Sequence, residues 1–558
     1  MQPRAGVSTT PQARPTVNLP QMSFDRAEAL ARLASDDFDV LVIGGGITGC
    51  GVALDAASRG LKVALVERDD FASGTSSKSS KLVHGGLRYL QQREIRLVYD
   101  ALHERQRALK NAPHLVRVLP FLIPVLSKDG LINPKISRAL GYAMWLYDIT
   151  GGARIGKLHQ RIDKQTALAH MPTLRAPNVA AAYLYYDAQT DDARYTLTLA
   201  RTAAAHGAVL ANHTKAVGLR KGVDAKVNGA TVTADGRTFE INARAVVNAA
   251  GVFSDDVREM DEGVHPHSIR PAKGIHITVP WEKVRNDIAA IVPVPKDRRS
   301  IFVVPWGDFT YIGTTDTDYD GPIDDPQCTP EDIQYLLNAM NMALAEPLTV
   351  DDVVGTWAGL RPLVTGGTVG QKTADLSRRH KVASSASGVI TVTGGKLTTY
   401  RKMAEDTTDT VVHALGRKLA CRTKKMPLLG ASGSTPDDEH LARRYGSMAT
   451  EILALSEVDA LDAPLVIGLP YRRAEAIYAV REEMATTLDD VLSRRTRARL
   501  LGRDATAAAA EDVARLIAPE LGWDEDRIRT EVDSYRAALE HERTSAGLER
   551  ALDTSLGA

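Results

Sequence analysis

FDVLVIGGGITG, Phe38–Gly49, decides the fold. Phe38–Ile43 is a short apolar run bounded by glycine, the mark of a buried strand. Gly44, Gly46 and Gly49 complete G-x-G-x-x-G, and Gly45, Ile47 and Thr48 fill the turn. The small-residue stretch Gly51–Gly60 reads as the following helix, and KVALVE (62–67) as a second strand. In such a unit the first glycine makes the turn, the second lets backbone approach a pyrophosphate, and the third packs helix on strand. The helix amides then face the phosphates. Glu67 ends the second strand 18 residues past Gly49, where a carboxylate accepts ribose hydroxyls and disfavours an added 2′-phosphate. The pattern alone does not separate FAD from NAD.

Downstream, TSSKSSKLVHGGLRYL (75–90) is a Ser/Gly-rich run with Arg88 near its end. Such a run suits the wall of a flavin ring with an anionic substrate above it. Further glycine turns follow strands at VNAAG (247–251) and ITVTGGK (390–396). A short helix at Phe24–Ala34 precedes the first strand, and further helices are expected at Arg96–Lys110, after Asn133-Pro134, at Ala193–His206 and at 330–346. HITVP, SIFVVPW and TYIGTTD, within 270–320, read as strands. Beyond about Lys425 the chain turns to charged, alanine-rich helices without glycine loops.

The bulk composition sets limits. A chain of 558 residues should hold two or three domains. Lys+Arg and Asp+Glu both number 69, so no global charge favours nucleic acid. Cys50, Cys328 and Cys421 are scattered, which argues against a disulfide framework or a zinc site and fits a reducing, cytoplasmic compartment. No apolar run reaches the ~18–20 residues of a membrane span. Residues 1–22 lack an apolar signal core and read as a disordered tail. Asp316–Gly321 imitates a calcium loop, but Gln327 stands where the bidentate Glu belongs, so no metal is expected.

From GGGITG through TSSKSSKLVHGGLRYL, the chain resembles the FAD-dependent glycerol-3-phosphate dehydrogenases. The likeness continues in order through VNAAG, KGIHITVP (273–280), FVVPW (302–306), YIGTTDTDYDG (311–321), GLRPL (359–363), GGKLTTYR (394–401) and TTLDDVLSRRTRARL (486–500). It implies an α/β protein with a Rossmann-like FAD-binding domain interleaved with a β-rich α+β substrate domain, plus a C-terminal all-α domain. The expected division is a tail and short helix at 1–35 and an FAD domain from 36–90, 180–270 and 355–415. A substrate domain from 91–179 and 271–354 and a helical domain at 425–558 complete it.

The resemblance also implies chemistry: oxidation of sn-glycerol 3-phosphate to dihydroxyacetone phosphate, with electrons passed through FAD to a membrane quinone. A dianionic phosphate needs cations, best a guanidinium. Arg88, Arg361, Lys396 and Arg378 are the candidates, with Tyr89 lining the substrate side; the spacing in LSRRHKV leaves Arg379 open as well. His276 is the candidate base for the hydroxyl proton. Arg361 could steady the alkoxide, and Lys396 the reduced ring. For FAD the candidates are the glycine loop with Glu67, then Thr75, Ser76, Ser80, Lys81, Gly85, Gly86, Gly251, Gly395, Leu397 and Thr398. His84 is set aside.

The helix after Asn133 carries Ile136, Leu140, Met144 and Tyr147, with Trp145, Leu146 and Ile149 widening the apolar surface and Lys135 and Arg138 near its start. It reads either as a core helix or as an interfacial one meeting anionic lipid. With the quinone acceptor that the resemblance implies, the expected location is cytoplasmic, peripheral on the cytoplasmic face of the inner membrane, with a homodimer left open. An oxidase using O2 and a non-catalytic flavin-binding regulator remain the alternatives.

Overall fold

The computed structural model describes residues 24–86, 94–126, 134–151, 155–294, 299–364, 379–458 and 460–548. The opening run is a strand, Asp37–Ile43, buried from Phe38 onward, and the helix Ile47–Ser58 follows it. That helix is almost wholly buried because Gly, Ala and Cys dominate it and let neighbours approach. A Cβ on Gly51 would stand 2.9 Å from the Tyr400 ring, so the helix Tyr400–Ala414 lies directly against it. On its other flank packs the helix Asp192–Ala205.

The strand Asp37–Ile43 pairs in parallel with Val63–Val66 on one side and with Arg237–Asn248 on the other. Val209–Ala211 extends the sheet beyond the second strand, and Ile390–Thr393 beyond Arg237–Asn248. An antiparallel strand, Lys381–Ser384, and a meander through Lys215–Ala234 complete eight strands. Apolar side chains on both faces are the expected composition of a parallel sheet covered by helices.

A second sheet of ten strands lies beside the first. Ile269–Pro280 runs at its heart, flanked by Phe309–Gly313 and Gly355–Val364. Val179–Gln189 pairs here with Arg117–Leu126, and the two-residue strand Leu82–Val83 joins its edge. The sequence boundaries therefore shift. Segments 82–83, 180–189 and 355–364, assigned from sequence to the FAD domain, are strands of this second sheet, because apolar alternation does not reveal a strand's partner.

From Glu439 to Ser545 the chain is helical, with its own core around Val491, Ala510, Val513 and Ile517. It is bound to the first domain by buried ion pairs. Asp70 takes both Arg494 and Arg495, and Glu483 takes Arg194 and Arg201. The helix predicted after Asn133 spans Pro134–Thr150. Among the described residues, no helix is long and apolar enough to cross a membrane.

Candidate functional site

At the carboxyl end of the first strand, the glycine loop opens one side of a cavity of about 350 Å³. Its lining runs from Gly44, Gly46 and Glu67 past Thr75, Ser76 and Ser80 to His276, Arg361 and Lys396. Both ends of the sequence reading thus share one continuous space. Ligands of open α/β sheets bind in this position, beyond the strand carboxyl ends.

The donor set fits a dinucleotide such as FAD. A Cβ on Gly49 would lie 1.9 Å from the Gly44 carbonyl oxygen, so only glycine lets the helix start this close to the loop. That closeness aims the helix amides into the cavity, as phosphate binding requires. Glu67 donates nothing and accepts twice: Oε2 from the Gly45 amide at 2.6 Å and Oε1 from the Asp69 amide at 2.9 Å. Burial pushes its pKa up, and these two hydrogen bonds oppose the push. Each oxygen keeps a second lone pair for a ribose hydroxyl.

The Ser-rich run divides its duties. Ser76 Oγ accepts the Ile47 amide at 2.9 Å, and Thr75 donates to the Leu360 carbonyl at 2.6 Å. Ser80 Oγ lies 2.9 Å from His276 Nε2, so its partner is the histidine. Lys81 departs from expectation. Its side chain turns away from the cavity into a buried site, where Nζ donates to Asp192 at 3.1 Å and to the Ser77 carbonyl at 3.1 Å. Charge pairing with a buried carboxylate holds it there. Burial and Arg497 lower its pKa to about 8, against the opposing charge of Asp192.

Gly85 and Gly86 also differ from the reading that backbone there lies against a ring. A Cβ on Gly85 would strike Leu102 at 2.5 Å and the Tyr147 hydroxyl at 2.6 Å, so its space is taken by protein. The Gly85 amide donates to Tyr147 and Asp187, both at 3.2 Å. Gly86 has φ +77, a turn conformation, and neither glycine lines the cavity. His84, set aside from sequence, does line it. Thr398 Oγ accepts the His84 amide at 3.1 Å and donates to its carbonyl at 3.3 Å, tying the two glycine motifs together. Gly251, Gly395, Leu397 and Thr398 all line the cavity.

The cationic end is built by two paired strands. In register, Ala272 faces Arg361, Gly274 faces Gly359 and His276 faces Trp357. Alternation puts Trp357, Gly359 and Arg361 on one face of their strand. The Arg361 guanidinium crosses over Gly274, where a Cβ would fall 2.4 Å from it. Asp316 holds it at 3.2 Å, with Thr314 Oγ and the Thr315 carbonyl each at 3.2 Å. A guanidinium fixed from behind is preorganised for an anion. His276 stacks on Trp357, centroids 4.7 Å apart and planes 8° apart. Burial, then the charges of Lys81 and Arg361, hold its pKa well below the histidine range, so the ring is neutral.

Arg88, Tyr89 and Arg378 lie outside the described residues. Arg379 does not line the cavity; it is exposed and paired with Glu94 at 2.9 Å. Trp357 and the cavity-lining Lys78 are not among the residues expected from sequence, and Asp316, weighed there only as part of a calcium-loop mimic, instead holds Arg361. Period-two spacing from Arg361 would have found Trp357.

A family model described as FAD dependent oxidoreductase matches residues 39–401, and one described as the C-terminal domain of alpha-glycerophosphate oxidase matches residues 421–528. Glycerol-3-phosphate dehydrogenase 2 of Mycobacterium bovis is 41% identical over 538 residues, 93% of this chain and 90% of that protein. The glycerol-3-phosphate dehydrogenase of Mycobacterium leprae is 42% identical with the same coverage. The crystal structure of the Bacillus halodurans glycerol-3-phosphate dehydrogenase complexed with FAD superposes with a TM-score of 0.74 at 31% identity, covering 96% of this chain and 99% of that one.

Proposed function

We propose a function from one premise: the chain belongs to the family of FAD-dependent glycerol-3-phosphate dehydrogenases, and its cofactor is FAD. On this reading the protein oxidises sn-glycerol 3-phosphate to dihydroxyacetone phosphate and passes the electrons to a membrane quinone. The observation that carries it is the meeting of Arg361, His276 and Lys396 on the cavity that begins at the glycine loop.

The flavin, when bound, supplies a hydride acceptor at N5. The chain supplies the rest. Arg361, backed by Asp316, grips the substrate's charge and steadies developing negative charge at its oxygen. Lys396 adds a cation at the glycine turn, favouring a reduced, anionic ring. His276, neutral and therefore able to accept a proton, takes the one that leaves the hydroxyl. Arg88, Tyr89 and Arg378 complete the substrate contacts in this proposal. The glycine loop with Glu67, Thr75, Ser76 and Gly251 would hold the dinucleotide, and Gly395, Leu397 and Thr398 would offer backbone or hydroxyl contacts to its flavin.

The quinone acceptor and peripheral membrane contact are supported by the helix Pro134–Thr150. Its Met144 and Tyr147 are buried, while Tyr142 is 79% exposed, Trp145 59% and Ile149 73%. An outward apolar face with two aromatic rings suits the membrane interface. Purified holoenzyme with glycerol 3-phosphate should reduce a short-chain ubiquinone analogue far faster than it consumes oxygen. It should also sediment with anionic phospholipid vesicles, and Trp145→Glu/Ile149→Glu should abolish that sedimentation. Rapid peroxide release with no quinone turnover would favour the oxidase instead.

A further inference from the structure

The His276 ring is enclosed. Trp357 covers one face, and Gly313 leaves room at its edge, since a Cβ there would come within 2.2 Å of the imidazole. Nδ1 is sealed from solvent and has no partner among the described residues. Nε2 is therefore the nitrogen with a way out, and Ser80 Oγ stands on it at 2.9 Å. Ser80 is itself fixed: the Tyr311 hydroxyl donates to its carbonyl at 2.9 Å, and Trp357 Nε1 donates to the Ser79 carbonyl at 3.2 Å. Ser80, His276 and Arg361 all line the cavity.

We propose that Ser80 relays the substrate's hydroxyl proton to His276, so that the group touching the substrate oxygen is the serine and the base is the histidine behind it. The proposal rests on the reading of the site as an alcohol-oxidising one. With the ring proton on Nδ1, Nε2 accepts from the Ser80 hydroxyl, and Ser80 Oγ has lone pairs left for the substrate hydroxyl. As the substrate O–H breaks, Oγ takes that proton. The Ser80 O–H breaks in turn and its proton passes to Nε2. The C2 hydrogen leaves as hydride to the bound flavin and the carbonyl forms. Serine ends as it began, and the imidazole carries the proton.

The surrounding charges make the relay depend on substrate. The charged groups facing the ring are Lys81, held by Asp192, and Arg361, held by Asp316; Tyr311 packs edge-on. Both cations disfavour imidazolium while the cavity lacks its anion. A substrate phosphate on Arg361 offsets one of them, so proton affinity at Nε2 rises once substrate is seated.

The test is anaerobic stopped-flow reduction of the holoenzyme flavin by glycerol 3-phosphate, across pH, in H2O and D2O. The variants are Ser80→Ala, Ser80→Thr and His276→Gln, each with its FAD content measured. Affinity for 3-hydroxypropyl phosphate, which lacks the C2 hydroxyl, is measured alongside. Ser80→Ala should keep its FAD and its affinity for that analogue, while reduction slows about 100-fold, in the range of a lost proton-transfer group. Its solvent isotope effect and pH profile should change, and Ser80→Thr should restore most of the rate. A Ser80→Ala protein that reduces normally, or one that has lost FAD, overturns the relay, as does a threonine variant as slow as alanine. Normal reduction by His276→Gln instead removes the base reading on which the relay stands.

Discussion

Glu67 and Gly45 are joined by a hydrogen bond of 2.6 Å from the glycine amide to Oε2, so the carboxylate at the end of one strand shapes the phosphate loop at the end of its neighbour. The other oxygen fixes Asp69. Glu67 thus orients the loop, and under the proposed function it also offers acceptors to a ribose. Hydrogen bonds to a charged group are worth about 1.5–3 kcal/mol each. Glu67→Ala should therefore weaken FAD binding by at least tenfold, read as flavin per protein after gel filtration and as Kd by titration of apoprotein. Unchanged flavin content would contradict this role.

Gly274 exists to let Arg361 cross the strand pair. Gly274→Ala should push the guanidinium out of place, raise KM for glycerol 3-phosphate about tenfold or more, and leave bound flavin intact. Arg361→Ala should lose turnover and also keep its flavin. Steady-state kinetics beside the flavin spectrum separates these outcomes, and loss of flavin in either variant would show that the arginine belongs to the cofactor instead.

Asp192 is the node beneath the Ser-rich run. It accepts from Ser79 through its amide at 2.9 Å and its hydroxyl at 2.7 Å, and pairs with Lys81 and Arg497. Arg497 comes from the C-terminal domain and also donates to the Ser77 carbonyl. That domain therefore holds the Ser-rich run from behind. Asp192→Asn leaves two buried cations short of a carboxylate, a loss of about 3 kcal/mol. Tm should fall by several degrees and flavin should dissociate more readily. Wild-type Tm and flavin retention would refute the clamp.

Acid should loosen the C-terminal domain. Burial by itself would raise the pKa of Glu475, but the charge and hydrogen bond of His440, the charge of Arg444 and the hydrogen bond from the Arg472 amide overcome it and hold the carboxyl at about 2. A carboxyl depressed from 4.5 stabilises the fold above that value and loses its contribution as pH falls toward 2. The contribution at neutral pH is about 3 kcal/mol. Urea unfolding between pH 6 and 3 should show stability falling in the wild type and a flatter profile in Glu475→Gln. Equal slopes would contradict the pairing.

The parts of the molecule written locally were legible. The glycine loop, its helix and Glu67 follow from spacing alone, and KGIHITVP and GLRPL pointed to His276 and Arg361. The sequence could not show that these two runs are paired strands, because cross-strand register depends on contacts distant in the chain. Trp357 was missed for that reason. Lys81 and Gly85 were misread because their neighbours, Asp192 and Tyr147, lie more than 60 positions away and compete for them. The outward face of Pro134–Thr150 was undecidable from periodicity, since both of its faces are apolar.

Under the proposed function, Arg361, Lys396 and His276 present a phosphorylated alcohol to a bound flavin. Anaerobic titration of the purified holoenzyme with glycerol 3-phosphate, followed in the visible flavin band, tests it most directly. The band should bleach at once in the wild type and persist in Arg361→Ala with equal flavin content. A wild-type protein that stays yellow with its flavin bound would show that these three residues do not deliver the alcohol to the flavin.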